Sequence, residues 1–238
     1  MRIALIYATW PDTPFGMTWH KFAASTRTAG LSEQLATVGH KVEEHVLTVS
    51  GPQAAELRGA FELAREIGRV SRQALAEGAF PVIVSGSCAV AAIGAIAGIG
   101  EKRTGMLWMD THPDLNTPET TSSGLFDGMA VSISVGACWK HMAADVAGLR
   151  RPIAARDLCL YGARDIDPGE SHYIRSHEIP LIHSAGLVRM EVIRRRYRNA
   201  EDDKAWIAPL ASRLCGGFVG MIAPFDLSKS ASVPKHAA

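Results

Sequence analysis

The sequence predicts an α/β fold in which a three-layer, doubly wound parallel sheet carries helices on both faces. Short apolar runs of strand length alternate along the chain with longer segments of helical periodicity, as in successive strand–helix units. No internal repeat and no low-complexity linker interrupts this alternation. A chain of 238 residues can bury a full core, so we expect one domain over residues 1–238. Sheets of this kind bind ligands at the carboxyl ends of their strands.

Several segments have the composition and length of strands and are bounded by turn formers. The first is followed by a Pro/Gly loop from Trp10 to Gly16, and the second alternates apolar and polar residues like a peripheral strand. The fourth is apolar throughout, which is typical of a fully buried strand. The predicted strands, in chain order, are Arg2–Ala8, Lys41–Val49, Pro81–Val84, Gly105–Met109, Asp157–Tyr161, Pro180–His183 and Phe218–Ile222.

The segments between these strands have helical periodicity. The first two predicted helices end at Gly39 and Gly78, which are ordinary helix stop signals. The third consists of small residues, and it is too short and too rich in glycine to span a bilayer. The predicted helices, in chain order, are Phe22–Val38, Pro52–Glu77, Cys88–Ile99, Gly128–Val135 and a basic helix at Arg189–Tyr197.

Charge and cysteine usage narrow the class of protein. Lysine and arginine number 25 against 24 aspartates and glutamates, so charge gives no reason to expect a nucleic-acid or membrane partner. The four cysteines form no C-x-x-C pair, which favours reduced thiols in a cytoplasmic protein over a disulfide framework. The N-terminal segment has one arginine and a short apolar run stopped by Pro11, so we expect a strand there and no signal peptide.

Three side chains of metal-ligand type follow the predicted central strand at a spacing of two: Asp110, His112 and Asp114. Alternate residues of a strand share a face, so Asp110 and His112 are expected to point the same way. Asp114 can fold back towards them from the following loop. Two carboxylates and an imidazole suit a divalent cation, with manganese or zinc more natural than calcium. The alternative is a strand terminus with solvated acids and a capping histidine.

The next segment, Asn116–Gly124, is dense in hydroxyls, amides and turn formers. Such a loop supplies neutral donors and acceptors for the carboxylate of a zwitterionic substrate. The whole pattern, D-x-H-x-D-x-N-T-P-x-T-x-x-S-G, resembles the signature of the arginase, or ureohydrolase, family. The resemblance covers roughly residues 1–185, and residues 186–238 diverge from the family.

The resemblance implies a metal-dependent hydrolase of C–N bonds in a linear guanidino amino acid, forming a homo-oligomer. In that family the Asp-x-His-x-Asp segment bridges two manganese ions that activate a water. By resemblance, Asp110, His112 and Asp114 are metal ligands, and Asp114 also belongs to the catalytic group. The loop residues that the resemblance assigns to substrate binding are Asn116, Thr121 and Ser123.

A cysteine stands where most family members have a metal-binding histidine. The segment Ser85–Ala89 lies at a strand-to-helix turn where relatives carry G-G-D-H-S, and Cys88 takes the histidine position. A thiolate binds manganese weakly and zinc or iron well, so Cys88 is either a metal ligand or a small buried residue at a helix start. A branch related to hydroxyarginine hydrolases also has cysteine here, and the likeness extends to Gly136–Trp139.

Further acids match or replace family positions. Asp127 stands where the family has a histidine, and it either pairs with a substrate guanidinium in the catalytic group or caps the helix that begins at Gly128; we favour the cap. The segment G-A-R-D-I-D-P-G-E resembles G-x-R-D-x-D-x-x-E. There Asp167 would contact the substrate's α-amino group with Glu170 nearby, and helix capping ahead of Pro168 is compatible with both roles.

The C-terminal part departs from the family. Asp226 offers one carboxylate of the expected second Asp-x-Asp as a metal ligand, but Ser228 stands where the other would be. Either the gene is truncated or frame-shifted near Cys215, or the site is shortened and altered. We therefore expect at most one firmly held ion, manganese first with zinc or iron as alternatives, and weak or absent hydrolysis. The other functional class is an inactive homologue that acts as a binding or regulatory protein.

The same departure affects the expected sheet. The chain is predicted to lack the last strand and helix of the family fold. The structure should then show either a gap between the strand that ends at Val84 and the one near Ile222, or a rearranged neighbour that fills it.

Overall fold

The computed structural model of the chain describes residues 1–10, 20–51, 57–100, 104–182 and 219–221. Strands and helices alternate through the described part, as the sequence predicts. The strands are β1 (Arg2–Thr9), β2 (Lys41–Thr48), β3 (Phe80–Ser85), β4 (Met106–Met109), β5 (Leu158–Tyr161), β6 (Leu181–Ile182) and β7 (Val219–Met221). The α-helices are α1 (His20–Thr28), α2 (Leu31–Thr37), α3 (Leu57–Ala76), α4 (Cys88–Ile99), α5 (Ala130–Ser134) and α6 (Pro168–Ser176).

Strand β1 lies at the centre of a three-stranded parallel sheet with the order β2-β1-β3. Its residues alternate between two apolar clusters because successive side chains point to opposite faces of a sheet. Ile6 and Ala8 join the cluster built with α3 and α4, whereas Leu5 and Tyr7 join the one that contains Ala23 of α1. The sheet is thus covered by helices on both faces, which is the predicted α/β arrangement.

A second sheet of four strands has the order β6-β5-β4-β7. Strands β4, β5 and β6 are parallel, whereas β7 runs antiparallel to β4 with Leu107 opposite Met221. In the described part of the chain, no ladder joins β3 to β7. Among the described strands, β3 and β7 are thus unpaired, which agrees with the first of the two expected arrangements. Strand β7 is the neighbour of β4, in a reversed direction that the alternation of elements did not predict.

Several element boundaries differ from the sequence prediction. The helix predicted over Phe22–Val38 is two helices, because Gly30 adopts a left-handed conformation with φ +75° between α1 and α2. The sequence did not predict the π-helical turn at Met142–Val146, and it indicated α6 only through the expected helix capping ahead of Pro168. The predicted helix Arg189–Tyr197 lies outside the described residues. Helix α4 has the predicted bounds.

Helices α3 and α4 cross at very short range through glycines. A Cβ atom added to Gly94 would lie 2.7 Å from Cβ of Ile67 and 2.9 Å from the backbone oxygen of Ala64. A Cβ atom added to Gly98 would lie 2.6 Å from Cβ of Ser71. Because side chains are absent at these points, the two backbones can approach closely, and this fixes α4 against α3.

No helix in the described ranges is both long enough and apolar enough to cross a lipid bilayer.

The close crossing predicts a specific cost for adding one methyl group. Gly94→Ala gains about 1 kcal/mol of helix propensity. It also forces the methyl group against the Ala64 carbonyl oxygen and Ile67, and such overpacking costs roughly 1 to 3 kcal/mol. We expect a net loss of about 1 kcal/mol in the free energy of unfolding, measured by urea denaturation.

Gly128→Ala is the matched control. A Cβ atom at Gly128 meets nothing within 4 Å, so this substitution should be neutral or slightly stabilising. Equal stability of the two variants would contradict the close crossing of α3 and α4.

Candidate metal and substrate site

The segment that carries the predicted ligands is a loop and not a strand. Strand β4 ends at Met109, as predicted, so strand alternation does not orient Asp110 and His112, although Nδ1 of His112 lies 3.5 Å from Oδ1 of Asp110. The loop is held by neighbouring backbone instead. The amide of Asp110 donates to the carbonyl of Tyr161 at 3.2 Å, and the amide of Arg164 donates to the carbonyl of Thr111 at 2.8 Å.

Asp114 turns back towards the end of the strand. Its backbone is left-handed, with φ +49°, a conformation that aspartate adopts more readily than most residues. The Asp114 carbonyl oxygen accepts hydrogen bonds from the amides of Val131 and Ser132 in α5, at 2.9 and 3.1 Å. These contacts fix the turn and aim the Asp114 side chain inwards.

Cys88, Asp110 and Asp114 form a cluster. One ligand atom of each, the cysteine sulfur and a carboxylate oxygen of each aspartate, lies within 4.8 Å of the other two. Cys88 is the first residue of α4, so the cluster joins the start of this helix to the end of β4. Ligand atoms at this spacing can contact a single cation placed among them.

Two carboxylate oxygens in this cluster have no partner. The Oδ2 atoms of Asp110 and Asp114 are buried and accept no hydrogen bond from the described residues. The side chain of Asp110 is 5% exposed and Asp114 is 4% exposed, so water access is small. A buried polar atom without a partner costs free energy, and a cation bound between these oxygens would remove that cost.

Burial and nearby acids raise the pKa of two members of the cluster, Asp114 and Cys88. Burial, followed by repulsion from Asp110, Asp127 and Glu170, raises the pKa of Asp114 to about 9. Burial also raises the pKa of the Cys88 thiol, with further repulsion from Asp127 and the two other aspartates. A divalent cation would favour the ionised forms of these groups, so the residues present fit a metal ion.

His112 lies at the rim of the cluster. Its side chain is 46% exposed, with Nδ1 3.5 Å from Oδ1 of Asp110 and Nε2 3.5 Å from Oδ2 of Asp165. The backbone amide of His112 donates to the same Asp110 oxygen at 3.0 Å. The structure therefore brings Asp110 and Asp114 together with Cys88, and leaves the imidazole beside them. The remaining predicted ligand, Asp226, lies outside the described residues.

Asp127 caps a different helix from the one predicted. Neither the short 3-10 turn that contains it nor α5 has a side-chain cap. Instead, Oδ1 of Asp127 accepts a hydrogen bond from the hydroxyl of Ser87 at 2.5 Å and from the amide of Ala89 at 3.2 Å. Asp127 is 8% exposed, and burial raises its pKa. The predicted cap on the helix at Gly128 is thus corrected to a contact at the start of α4.

The predicted substrate loop is held by its own side chains. Asn116 is buried: its Nδ2 donates to Oδ2 of Asp167 at 2.8 Å, and its Oδ1 accepts from the Thr120 hydroxyl at 2.9 Å. Thr121 and Ser123 each accept a backbone amide at their hydroxyl oxygen, at 3.0 and 3.2 Å. Asn116 therefore orients Asp167. The hydroxyls of Thr121 and Ser123 share one hydrogen bond at 3.3 Å, so one of their two hydroxyl hydrogens stays available for donation.

Glu170 ties this loop to α6. Its Oε1 accepts the amide of Leu115 and its Oε2 accepts the amide of Asp167, both at 2.9 Å. The side chain is buried, and burial raises its pKa. The contact gives the Asp167 amide a hydrogen-bond partner at the start of α6, as the predicted capping ahead of Pro168 requires. Both carboxylate oxygens of Glu170 therefore have backbone partners.

Two contributors were missed by sequence reasoning. Ser87 is the N-cap of α4, with its hydroxyl accepting the amide of Val90 at 3.3 Å, and the serine directly before a predicted helix was the available signal. Asp165 approaches His112 from the loop after β5, and no local pattern in the sequence indicates that contact.

Comparisons with known proteins bear on this arrangement of acids at the ends of β4 and β5. A family model described as Arginase family matches residues 22–207. The arginase of Bacillus caldovelox is 28% identical over 171 residues, covering 66% of this chain and 56% of that protein. Arginase-1 of Rattus norvegicus is 33% identical over 168 residues, covering 65% of this chain and 51% of that protein. The chain therefore spans about half the length of these curated relatives.

Solved structures agree with the sequence comparison. The crystal structure of arginase from Bacillus cereus matches with a TM-score of 0.70 at 25% identity, covering 82% of this chain and 68% of that chain. The family match extends over more than half of the chain and includes β2 to β6 and the acid cluster. The chain belongs to the arginase family.

Proposed function

We propose that this protein is a divalent-cation-dependent hydrolase that cleaves a C–N bond in an arginine-like guanidino amino acid. The observation that carries the proposal is the pair of buried, unpartnered carboxylate oxygens on Asp110 and Asp114 beside the Cys88 sulfur. Membership of the arginase family supports the same reaction class.

The cation would be held by Asp110, Asp114 and Cys88, with the His112 imidazole at the rim as a further ligand. Asp226, outside the described residues, is the other acid we assign to it. A divalent cation there supplies Lewis acidity and lowers the pKa of a water, which provides a nucleophile near neutral pH. Manganese is our first choice, with zinc or iron as alternatives because a thiolate favours softer metals.

One ion is the number that this ligand set supports best. Two divalent cations a few ångströms apart repel each other strongly, and only anionic ligands offset that repulsion. The cluster supplies the two carboxylates of Asp110 and Asp114 and the thiol of Cys88. Glu170 is used in holding backbone amides, so it is not available as a ligand.

The amino-acid end of the substrate has candidate partners on the loop and on α6. We assign the α-carboxylate to the hydroxyls of Thr121 and Ser123, which lie 3.3 Å apart. Asp167 is partly exposed and would accept the α-amino group, and Asn116 holds its carboxylate in place. These contacts favour an α-amino acid over a decarboxylated amine.

Asp114 is the residue we assign to proton transfer. Its Oδ2 is buried without a hydrogen-bond partner among the described residues, so this oxygen would be available to accept a proton from a water bound beside it. Asp127 is not assigned to the guanidinium, because its Oδ1 is engaged at the start of α4 and the residue is buried.

The metal assignment predicts the content of the purified protein. After manganese loading and dialysis, we expect one equivalent by elemental analysis. In a separate thermal melt with free manganese at 100 times its Kd, we expect a higher melting temperature, because such a ligand stabilises by about 2.7 kcal/mol. Asp114→Asn and Asp110→Asn should each lose the retained ion and the stabilisation.

Asp145→Asn is the control for these variants, since Asp145 pairs with His141 at the surface and its side chain is 61% exposed. It should retain the metal like the unmodified chain. Two retained equivalents would contradict the single-ion assignment, and full retention by Asp114→Asn would contradict the site itself.

The substrate assignment predicts discrimination at the α-amino group. Asp167→Ala should abolish arginine binding in calorimetry, because a cation loses its carboxylate partner. Asp167→Asn is the matched control, since asparagine can still cap α6 and accept from Asn116 but carries no charge. It should keep the melting temperature of the unmodified chain while also losing arginine binding.

Activity should follow the same preference. We expect weak urea release from arginine or hydroxyarginine with manganese, and less from agmatine, which lacks the α-carboxylate. Unchanged arginine binding by Asp167→Ala, or robust turnover of agmatine, would overturn the substrate assignment.

A further inference from the structure

The carboxylate of Asp127 meets the chain at the residues on either side of Cys88. One oxygen, Oδ1, accepts hydrogen bonds from the Ser87 hydroxyl and from the Ala89 amide. The Ser87 hydroxyl oxygen also accepts the amide of Val90, as the N-cap of α4. A single buried oxygen therefore fixes the residue before Cys88 and the residue after it.

This arrangement restricts the direction of the Cys88 side chain. With Ser87 and Ala89 both held, the backbone of Cys88 cannot rotate without breaking a buried hydrogen bond. The start of a helix also carries partial positive charge. A negatively charged side chain nearby stabilises the helix through that charge. Since α4 is fixed against α3 at Gly94 and Gly98, the remaining freedom at its first turn is controlled by Asp127.

Asp127 lies on the segment that leads into α5, and α5 donates amides to the Asp114 carbonyl. The same short segment thus fixes two members of the cluster, Asp114 through backbone amides and Cys88 through a side-chain carboxylate. Asp127 is buried and its Oδ1 is held at the start of α4, so this side chain supports Cys88 through the residues on either side of it.

We propose that Asp127 is a positioning residue that holds the Cys88 thiol in place as a ligand for a borderline or soft divalent cation, and that it makes no contact with the substrate. This inference rests on the proposed cation site. Residues that orient a metal ligand from behind typically contribute 10- to 100-fold in metal affinity.

Cobalt is the probe that distinguishes positioning from simple helix capping. A cobalt–thiolate bond gives a charge-transfer absorption band in the near ultraviolet, whereas carboxylate and imidazole ligands do not. The full chain, freed of metal, is titrated with cobalt(II), and the band and the affinity are recorded for each variant. Cys88→Ser should abolish the band.

Asp127→Ala should weaken cobalt binding by about tenfold or more and reduce the band at saturation. Asp127→Asn keeps an oxygen that can accept from Ser87 and Ala89. This variant should therefore have a cobalt affinity and a charge-transfer band within a few-fold of those of the unmodified chain. Ile96→Val is the control for stability: it loosens the buried core of α4 without touching Asp127, and it should leave the band unchanged.

The outcomes separate this inference from the proposed function. An Asp127→Ala variant with the affinity and band of the unmodified chain would overturn the positioning role while leaving the cation site standing. Cobalt binding without a charge-transfer band would remove Cys88 as a ligand, and the inference with it, but would leave Asp110 and Asp114. No uptake of cobalt or manganese by the unmodified chain would overturn both.

Discussion

Mutual repulsion among buried acids at the end of β4 is the constraint on which the surrounding structure depends. Burial raises the pKa of the Cys88 thiol, and repulsion from Asp127, Asp114 and Asp110 adds to the effect. Such groups separate into water unless the backbone prevents it. Here the amides of α5 hold Asp114 by its carbonyl, and the start of α4 holds Asp127 by its carboxylate. The scaffold therefore maintains an electrostatically unfavourable arrangement that a cation would relieve.

The predicted substrate loop, Asn116–Gly124, depends on a second set of buried polar contacts. Glu170 connects the amides of Leu115 and Asp167, and Asn116 connects Asp167 to Thr120. Together they join the loop after β4 to the first turn of α6. Most of these groups are buried and have hydrogen-bond partners, so the loop is preorganised. A substrate would therefore lose little binding free energy to ordering the loop.

Much of this arrangement was predictable from local pattern, and the rest was not. The strand and helix alternation, the bounds of α4 and the convergence of Asp110 with Asp114 follow from periodicity and the ligand motif. The helix that Asp127 caps was predicted wrongly, because Asp127 and Ser87 are distant in sequence and only packing brings them together. The orientation of His112 towards Asp165 and the reversed direction of β7 likewise depend on contacts that no local pattern contains.

The glycine crossing of α3 and α4 has an evolutionary consequence. A larger residue at position 94 displaces α4 unless Ile67 becomes smaller at the same time, so these positions are expected to vary together between relatives. Helix α4 also begins at Cys88, so drift at the crossing changes the cation cluster from a distance. The geometry of the Cys88, Asp110 and Asp114 cluster can therefore change through apolar substitutions that touch none of its members.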